Sequence, residues 1–179
     1  DGRIIDVFNA LDGDGAFSPE RAGAVPAGAL IEMCFSGKYT QKEVDNILNK
    51  KSGLFGVGDI QSGDMRDMLA AEANGSERAA LALKMFVRRV VKYIGSYYVL
   101  TGGPEALVFT GGIGEYSVEI RNRIMKELSC LGLYPDTAKN EACFGKRDVI
   151  SSADSSWKAI VMPTDEELMI ARSTLALVK

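Results

Sequence analysis

Two segments of the sequence repeat one pattern, in which a short apolar run leads through a turn into a helix with one apolar face. The first run is residues 106–110, followed by a glycine-rich turn, and the second is residues 158–162, followed by Pro163 and Thr164. A short apolar run bounded by turn residues is typical of a buried strand, and strands that alternate with helices predict parallel pairing. The pattern therefore predicts an α/β layered fold whose ligands lie beyond the carboxyl ends of its strands.

The rest of the chain predicts further helices and several loops. Apolar residues spaced by three and four predict a long core helix between Ser76 and Gly102. Its apolar face is formed by Leu83, Phe86, Val87, Val90, Val91, Ile94, Tyr97 and Tyr98. Two shorter helices are predicted within residues 25–48, and Gly132 is expected to end the helix after the glycine turn. Residues 3–8 predict a strand, whereas residues 11–23, 50–58 and 60–67 predict loops.

Composition narrows the classes of function. The chain has 179 residues, of which 46% are hydrophobic, enough for a sizeable core in one ordinary domain spanning residues 1–179. Its net charge is -3, without a block of like charges, which argues against nucleic acid as a partner. No apolar run approaches the roughly 20 residues that span a bilayer, so we expect a cytoplasmic protein without membrane contact. The three cysteines are expected to be free thiols, and histidine is absent.

The glycine turn Thr110-Gly-Gly-Ile-Gly-Glu115 has two interpretations. Three glycines between a strand and a helix expose backbone N–H groups to an anion with no side chain in the way, which favours phosphate. The turn matches neither a P-loop nor the dinucleotide fingerprint, because Ser117 stands where the third glycine of that fingerprint belongs. A purely structural turn explains the same spacing, so both interpretations stay open.

Four charged residues also have a functional and a structural interpretation. Glu166 is a possible Mg²⁺ ligand or a solvated residue of a first helical turn, while Thr164 and Glu167 match a capping box. Asp64 and Arg66, two apart in a loop, suit a ribose and a phosphate, or form only a surface ion pair. Arg21 is a candidate donor to carboxylate or phosphoryl oxygens, or an exposed charge.

Five stretches occur together in one order along the chain. They are Asn49-Lys-Lys-Ser-Gly-Leu54, Asp64-Met-Arg66, Leu107-Val-Phe-Thr-Gly-Gly-Ile-Gly-Glu115, Ile120-Arg121 and Pro163-Thr-Asp-Glu-Glu-Leu-Met-Ile-Ala-Arg172. In this order they resemble the acetate kinase family, the carboxylate kinases of the actin, sugar kinase and Hsp70 superfamily. The resemblance is to the C-terminal half of a two-domain kinase and implies a ribonuclease H-like α/β domain.

The resemblance implies a role for each matched residue. Asp64, Met65 and Arg66 would contact ATP or ADP, Glu166 would serve Mg²⁺, and Arg21 would be catalytic, stabilising the transferred phosphoryl group. Gly111, Gly112, Ile113, Gly114 and Glu115 would also contact the nucleotide. The family transfers the γ-phosphoryl group of ATP reversibly to a short carboxylate, which makes an acyl phosphate. Such transfer depends on positioning and charge neutralisation, which suits glycines, Arg and Mg²⁺.

The sequence departs from the family pattern in two places, one beside the expected adenosine contact and one that bears on the carboxylate substrate. Tyr116 follows the glycine turn where the family usually has Asn, beside the expected adenosine contact. The first 40 or so residues look like butyrate kinases, so acetate, propionate and butyrate all stay candidate substrates.

The chain also lacks a counterpart of the family's N-terminal domain, and it begins at Asp1 rather than Met. We therefore expect a piece of a longer chain that binds nucleotide but has no useful kinase activity alone. The resemblance suggests a homodimer formed through this domain. The alternative is a non-enzymatic dimerisation or partner-binding module that kept the kinase fold.

Overall fold

The computed structural model describes residues 2–9 and 13–178, which belong to two compact units. The first unit comprises residues 1–104 and the second comprises residues 105–179. The regular elements among the described residues of the first unit are helices, and the second unit combines helices with a sheet. The expectation of one domain over residues 1–179 stays a prediction.

The first unit contains five helices within its described residues. They are α1 (Ala27–Phe35), α2 (Gln41–Lys50), α3 (Gly53–Gly58), α4 (Met65–Ala73) and α5 (Glu77–Leu100). The two short helices predicted within residues 25–48 are confirmed as α1 and α2. Thr40 starts α2 through a capping box with Glu43, in which each side chain bonds the other residue's backbone N–H.

Helix α5 is the predicted core helix, and it packs against α3 and α4. Leu83 and Phe86 on α5 are buried together with Leu54 of α3 and Met68 of α4. Burying a side chain of this size stabilises a fold by about 2 kcal/mol, so these four contribute much of the unit's stability. The second half of the predicted face, from Val90 to Tyr98, is only half-buried.

Three local predictions for the first unit were wrong or partly wrong. Residues 3–8 form no strand, since a strand needs a paired neighbour and no described strand pairs with them. Residues 53–58 form α3 rather than a loop, because complete burial of Leu54 outweighs the low helix propensity of the surrounding glycines. Helix α4 begins within the predicted loop 60–67, at Met65. The loop predicted at 11–23 is confirmed for residues 13–23, while Leu11 and Asp12 lie outside the described residues.

The second unit is built on a three-stranded sheet in the order β1-β3-β2. Its elements are β1 (Ala106–Phe109), α6 (Gly111–Tyr116), α7 (Val118–Glu127), α8 (Thr137–Ala142), β2 (Asp148–Val149), β3 (Lys158–Val161) and α9 (Glu166–Leu177). Strands β1 and β3 are parallel, with Phe109 opposite Val161, which confirms the predicted pairing. Strand β2 is antiparallel to β3.

The core of the second unit includes residues of α7 and of β3. Ile120, Ile124 and Leu128 are buried as their spacing predicts, together with Ala159 and Val161 of β3. Helix α7 ends at Glu127, and a short 3-10 helix over Ser129–Leu131 continues the chain to Gly132. Gly132 therefore ends the 3-10 segment rather than the helix itself.

Helix α9 buries none of its residues. Its apolar side chains Leu168, Met169, Ile170 and Leu175 are all exposed. No helix in residues 2–9 or 13–178 is both long enough and apolar enough to cross a membrane.

Candidate functional site

The two strand-to-helix crossings of the second unit lie at the same edge of the sheet. Strand β1 leads into α6 through Thr110, and β3 leads into α9 through residues 162–165. Phe109 and Val161 end the two strands and are register partners, so both crossings leave the carboxyl edge side by side. Ligands of parallel α/β sheets bind at this edge, which makes the crossings the candidate site.

The three glycines of the first crossing belong to α6 itself, and two of them have structural reasons to be glycine. Gly111 has φ +69°, in the left-handed region that residues with a side chain rarely adopt. A Cβ on Gly114 would come within 3.1 Å of the carbonyl carbon of Phe109. These two positions support the interpretation of the turn as structural.

Gly112 has no such reason. Its φ lies outside the left-handed region, and a Cβ there would meet no described atom within 4 Å. Glycine within a helix destabilises it by roughly 0.5–1 kcal/mol relative to Ala, so local structure disfavours glycine here. An open backbone at a sheet edge leaves room for a ligand to approach closely, which supports the binding interpretation.

The carboxylate of Glu115 joins the two crossings. Its Oε1 accepts hydrogen bonds from the backbone N–H of Gly111 (3.0 Å), the backbone N–H of Thr164 (3.1 Å) and the Thr164 hydroxyl (3.2 Å). Glu115 is only 6% exposed. One buried oxygen therefore connects the start of α6 to the segment before α9.

The capping box predicted at Thr164 and Glu167 is wrong. Asp165 is the N-cap of α9, and its side chain accepts from the backbone N–H of Leu168 at 2.9 Å. The Thr164 backbone N–H, which Glu167 would accept from in a capping box, donates to Glu115 instead, as does the Thr164 hydroxyl. A sequence pattern detects local caps but misses an acceptor 49 residues away.

Arg121 is a buried residue to which the sequence motifs assign no role. Its guanidinium donates to the carbonyl oxygens of Gly114 (2.9 Å), Glu115 (2.8 Å), Asn140 (3.1 Å) and Cys143 (2.6 Å), and to Asn140 Oδ1 (2.8 Å). Burial lowers its pKa, because removal from water disfavours the charged form. The available sequence signal was an arginine next to Ile120 on the apolar face of a helix.

Tyr116, at the end of α6, has its own packing partners. Its ring forms an edge contact with Phe144, with ring centroids 5.0 Å apart. A Cβ on Gly145 would come within 2.6 Å of the Tyr116 ring, and the Gly145 N–H donates to the carbonyl of Glu115 at 3.2 Å. The segment 143–145 thus fits around Tyr116, which is half exposed.

Asp64 and Arg66 form the ion pair that the sequence left as the structural alternative. Arg66 Nη2 lies 2.7 Å from Asp64 Oδ2, and the Arg66 backbone N–H donates to Asp64 Oδ1 at 2.8 Å, so Asp64 caps α4. The hydrogen bonds from Arg66 lower the pKa of Asp64 to about 2. Met65 between them is buried, whereas the Arg66 side chain is 90% exposed. Their contact with ATP stays a prediction.

Arg21 lies on a backbone segment that is firmly held within the first unit. The carbonyls of residues 18, 19 and 20 accept from the N–H groups of Leu54, Phe55 and Ser52, at 3.0, 2.9 and 3.0 Å. A Cβ on Gly53 would overlap the Ser18 carbonyl oxygen. The Arg21 guanidinium has no hydrogen bond or ion pair with another described residue.

Glu166 is the first residue of α9 and is exposed. Its carboxylate has no hydrogen bond or ion pair with the residues that the structure describes. Residues 2–9 and 13–178 contain no cluster of three or more metal-ligating side chains. The predicted site residues therefore fall in both units: Arg21, Asp64, Met65 and Arg66 in the first, Gly111 to Glu115 and Glu166 in the second.

The fold and the crossings define an α/β domain of the actin, sugar kinase and Hsp70 type, as predicted. A sequence profile described as the Acetokinase family matches residues 13–172. This chain belongs to the acetate kinase family.

Curated relatives match the sequence of this chain over nearly its whole length. It is 41% identical to an acetate kinase of Bacteroides thetaiotaomicron over 180 residues, covering 100% of this chain and 45% of the relative. It is 51% identical to an acetate kinase of Halothermothrix orenii, covering 99% of this chain and 44% of the relative. The chain therefore spans less than half the length of the curated relatives that it matches.

Two solved structures share the fold. A Porphyromonas gingivalis acetate kinase superposes with a TM-score of 0.83 at 38% identity, over 93% of this chain and 41% of that one. A propionate kinase of Francisella tularensis superposes with a TM-score of 0.80 at 36% identity, over 88% of this chain and 40% of that one.

Proposed function

We propose that this chain is the nucleotide-binding part of a short-chain carboxylate kinase, which transfers the γ-phosphoryl group of ATP reversibly to acetate, propionate or butyrate. Family membership supports the reaction class, a phosphotransferase with a carboxyl acceptor. The nucleotide site is proposed mainly from Gly112. This glycine leaves the backbone open at the carboxyl edge of the sheet, and local structure gives no reason for a glycine there.

The roles proposed for this chain's residues follow from their positions. The α6 backbone from Gly111 to Glu115 lines the nucleotide phosphates, and Asp64, Met65 and Arg66 contact the nucleotide elsewhere. Arg66 keeps most of its side chain in solvent, so it can exchange Asp64 for a nucleotide group without disturbing the core. Arg21 donates to the phosphoryl group during transfer, because its guanidinium has no partner among the described residues and carries the complementary charge.

The donor set at α9 fits Mg²⁺ only when substrate phosphates complete it. Glu166 supplies one exposed carboxylate, and the described residues offer no closed cage of ligands. Mg²⁺ is commonly bound through one or two carboxylates together with substrate phosphates, which is the arrangement that a single glutamate permits. Mg²⁺ bound there would neutralise negative charge on the phosphate oxygens.

We propose that the carboxylate substrate is a short aliphatic acid. Solved structures named acetate kinase and propionate kinase share this chain's fold. The butyrate-kinase-like first quarter of the sequence keeps butyrate among the candidates. Activity requires the domain that the family places before this one, so we propose that the isolated chain is inactive. We also propose that the protein forms a homodimer and is located in the cytoplasm.

A titration of Mg·ADP into the 179-residue chain tests the nucleotide site, with calorimetry as the measurement. We expect measurable binding that Gly112→Leu weakens, because the added side chain would occupy the open face of α6. The matched control is Gly28→Leu: Gly28 is also an exposed second residue of a helix with no described atom near its missing Cβ.

Equal affinities of wild type and Gly112→Leu would assign the glycine turn a structural role only. Absence of binding at millimolar Mg·ADP would favour the non-enzymatic dimerisation or partner-binding module instead.

A further inference from the structure

Glu115 is an acid whose interactions are all internal to the second unit. It is 6% exposed and forms no ion pair with any residue in the described part of the chain. Its Oε1 is bonded by Gly111 from one crossing and by Thr164 twice from the other. Because three donors converge on this one oxygen, it is a firm link between the crossings.

The link acts on both sides of the proposed nucleotide site. Gly111 precedes the open Gly112 on α6, and Thr164 lies two residues before Glu166, the proposed Mg²⁺ ligand. Since the two donor nitrogens bond the same oxygen, their separation is set by that oxygen. A shift of either crossing breaks at least one of the three bonds.

We propose that Glu115 is a positioning residue, which sets the distance between the glycine backbone of α6 and the Mg²⁺-side segment through a single oxygen. The inference rests on the proposed function for its consequence in nucleotide binding. It also changes the role that the family resemblance implied, since Glu115 acts on the nucleotide through Gly111 and Thr164 rather than by touching it.

Two substitutions of Glu115 separate positioning from direct contact. Glu115→Gln keeps an oxygen in the Oε1 position and removes the charge, whereas Glu115→Ala removes the acceptor. In the Mg·ADP titration of the 179-residue chain, we expect Gln to stay within about threefold of wild type and Ala to weaken binding at least about tenfold. Thr164→Val, which removes one of the three donors, should fall between them.

Two results of this titration would overturn the proposal. If Gln weakened binding as much as Ala, the charge itself would contact the nucleotide or the metal. If Ala bound as wild type does, the link would have no effect on the site.

Amide hydrogen exchange in the ligand-free chain tests the link independently of nucleotide. Glu115→Ala should accelerate exchange at Gly111 and Thr164 at least about tenfold, and Glu115→Gln should not, because exchange requires opening of the bond. The control is the Ala159 N–H, which is held by Ser151 Oγ at 3.0 Å in the same unit.

The exchange experiment keeps the two proposals distinguishable. If wild type failed to bind Mg·ADP, the proposed function would fail while the exchange rates still decided whether Glu115 links the crossings. Unchanged rates at Gly111 and Thr164, or an equal acceleration at Ala159, would refute the link.

Discussion

Asn140 receives the guanidinium of Arg121 twice, on its side-chain oxygen at 2.8 Å and on its main-chain carbonyl at 3.1 Å. The other acceptors are the carbonyls of Gly114, Glu115 and Cys143, so five hydrogen bonds match the five N–H groups of an arginine. Arg121 thus connects the end of α6 to α8 and the residue after it. Its buried charge faces carbonyl dipoles, which offset the cost of removing it from water.

Arg121→Lys should destabilise the second unit strongly. An ammonium group has three donors, so at least two buried carbonyl acceptors lose their partner, and we expect a loss of about 3–5 kcal/mol in the free energy of unfolding. The single tryptophan, Trp157, is buried in this unit and its fluorescence reports the unfolding by urea. Arg123→Lys is the control, because the Arg123 pair with Glu119 is partly exposed and its loss should cost below about 1 kcal/mol. A loss for Arg121→Lys no larger than the control's would contradict the role assigned to Arg121.

Gly53→Ala should displace the segment that carries Arg21. Gly53 has φ +64°, and its new Cβ would overlap the Ser18 carbonyl, so strain and a clash combine. Gly37→Ala is the matched control, since Gly37 has φ +70° but no described atom within 4 Å of its missing Cβ. We expect the control to lose about 1 kcal/mol from backbone strain and Gly53→Ala to lose clearly more, measured by urea unfolding followed by circular dichroism. Equal losses would show that the contact with Ser18 is not restrictive.

Tyr116 and Gly145 should be energetically coupled. Gly145→Ala places a Cβ 2.6 Å from the Tyr116 ring, which forces the ring or the segment 143–145 to move. In a Tyr116→Ala background the ring is gone, so the same change should cost less, by about 1 kcal/mol. A double-mutant cycle followed by Trp157 fluorescence measures this difference, and strict additivity of the two changes would refute the coupling.

The carboxyl group of Asp64 should titrate at unusually low pH. Its folded-state pKa is lowered from 3.8 to about 2, first by hydrogen bonds from the Arg66 side chain and then by the Arg66 backbone N–H. A lowered pKa means that the group stabilises the fold above its usual pKa and loses this contribution as pH falls toward 2.

Carbon-detected NMR of the Asp64 carboxyl measures the titration directly. Arg66→Ala should raise the pKa because it removes the largest cause, and an unchanged midpoint in that variant would contradict the assignment.

Local patterns predicted most of the secondary structure. The period of apolar residues identified α5, and the repeated pattern of apolar run, turn and helix identified β1, β3 and their parallel pairing. These features depend on burial of side chains at fixed spacing, which a sequence displays directly. Residues 3–8 had the same apolar character but form no strand, because pairing depends on a neighbour that spacing does not specify.

The sequence predicted which residues lie at the candidate site, but not the hydrogen bonds that join them. The motifs selected Gly112 and Glu166, and both are exposed at the carboxyl edge of the sheet. The motifs predicted Thr164 as a local helix cap, whereas its N–H and hydroxyl donate to Glu115. They assigned no role to the buried Arg121. Hydrogen bonds between residues far apart in the chain leave no periodic signal, so this part of the site required the folded structure.

By itself the sequence determined the α/β class, the long helix and the parallel strands, because each rests on residue types at short and regular intervals. It also determined the family, through five motifs that occur in one order along the chain. Only the tertiary structure decided which glycines the backbone requires and which it leaves open. That distinction depends on what a missing Cβ would touch: Phe109 at Gly114, the Ser18 carbonyl at Gly53, and no described atom at Gly112. Close packing brings such neighbours together across long stretches of chain.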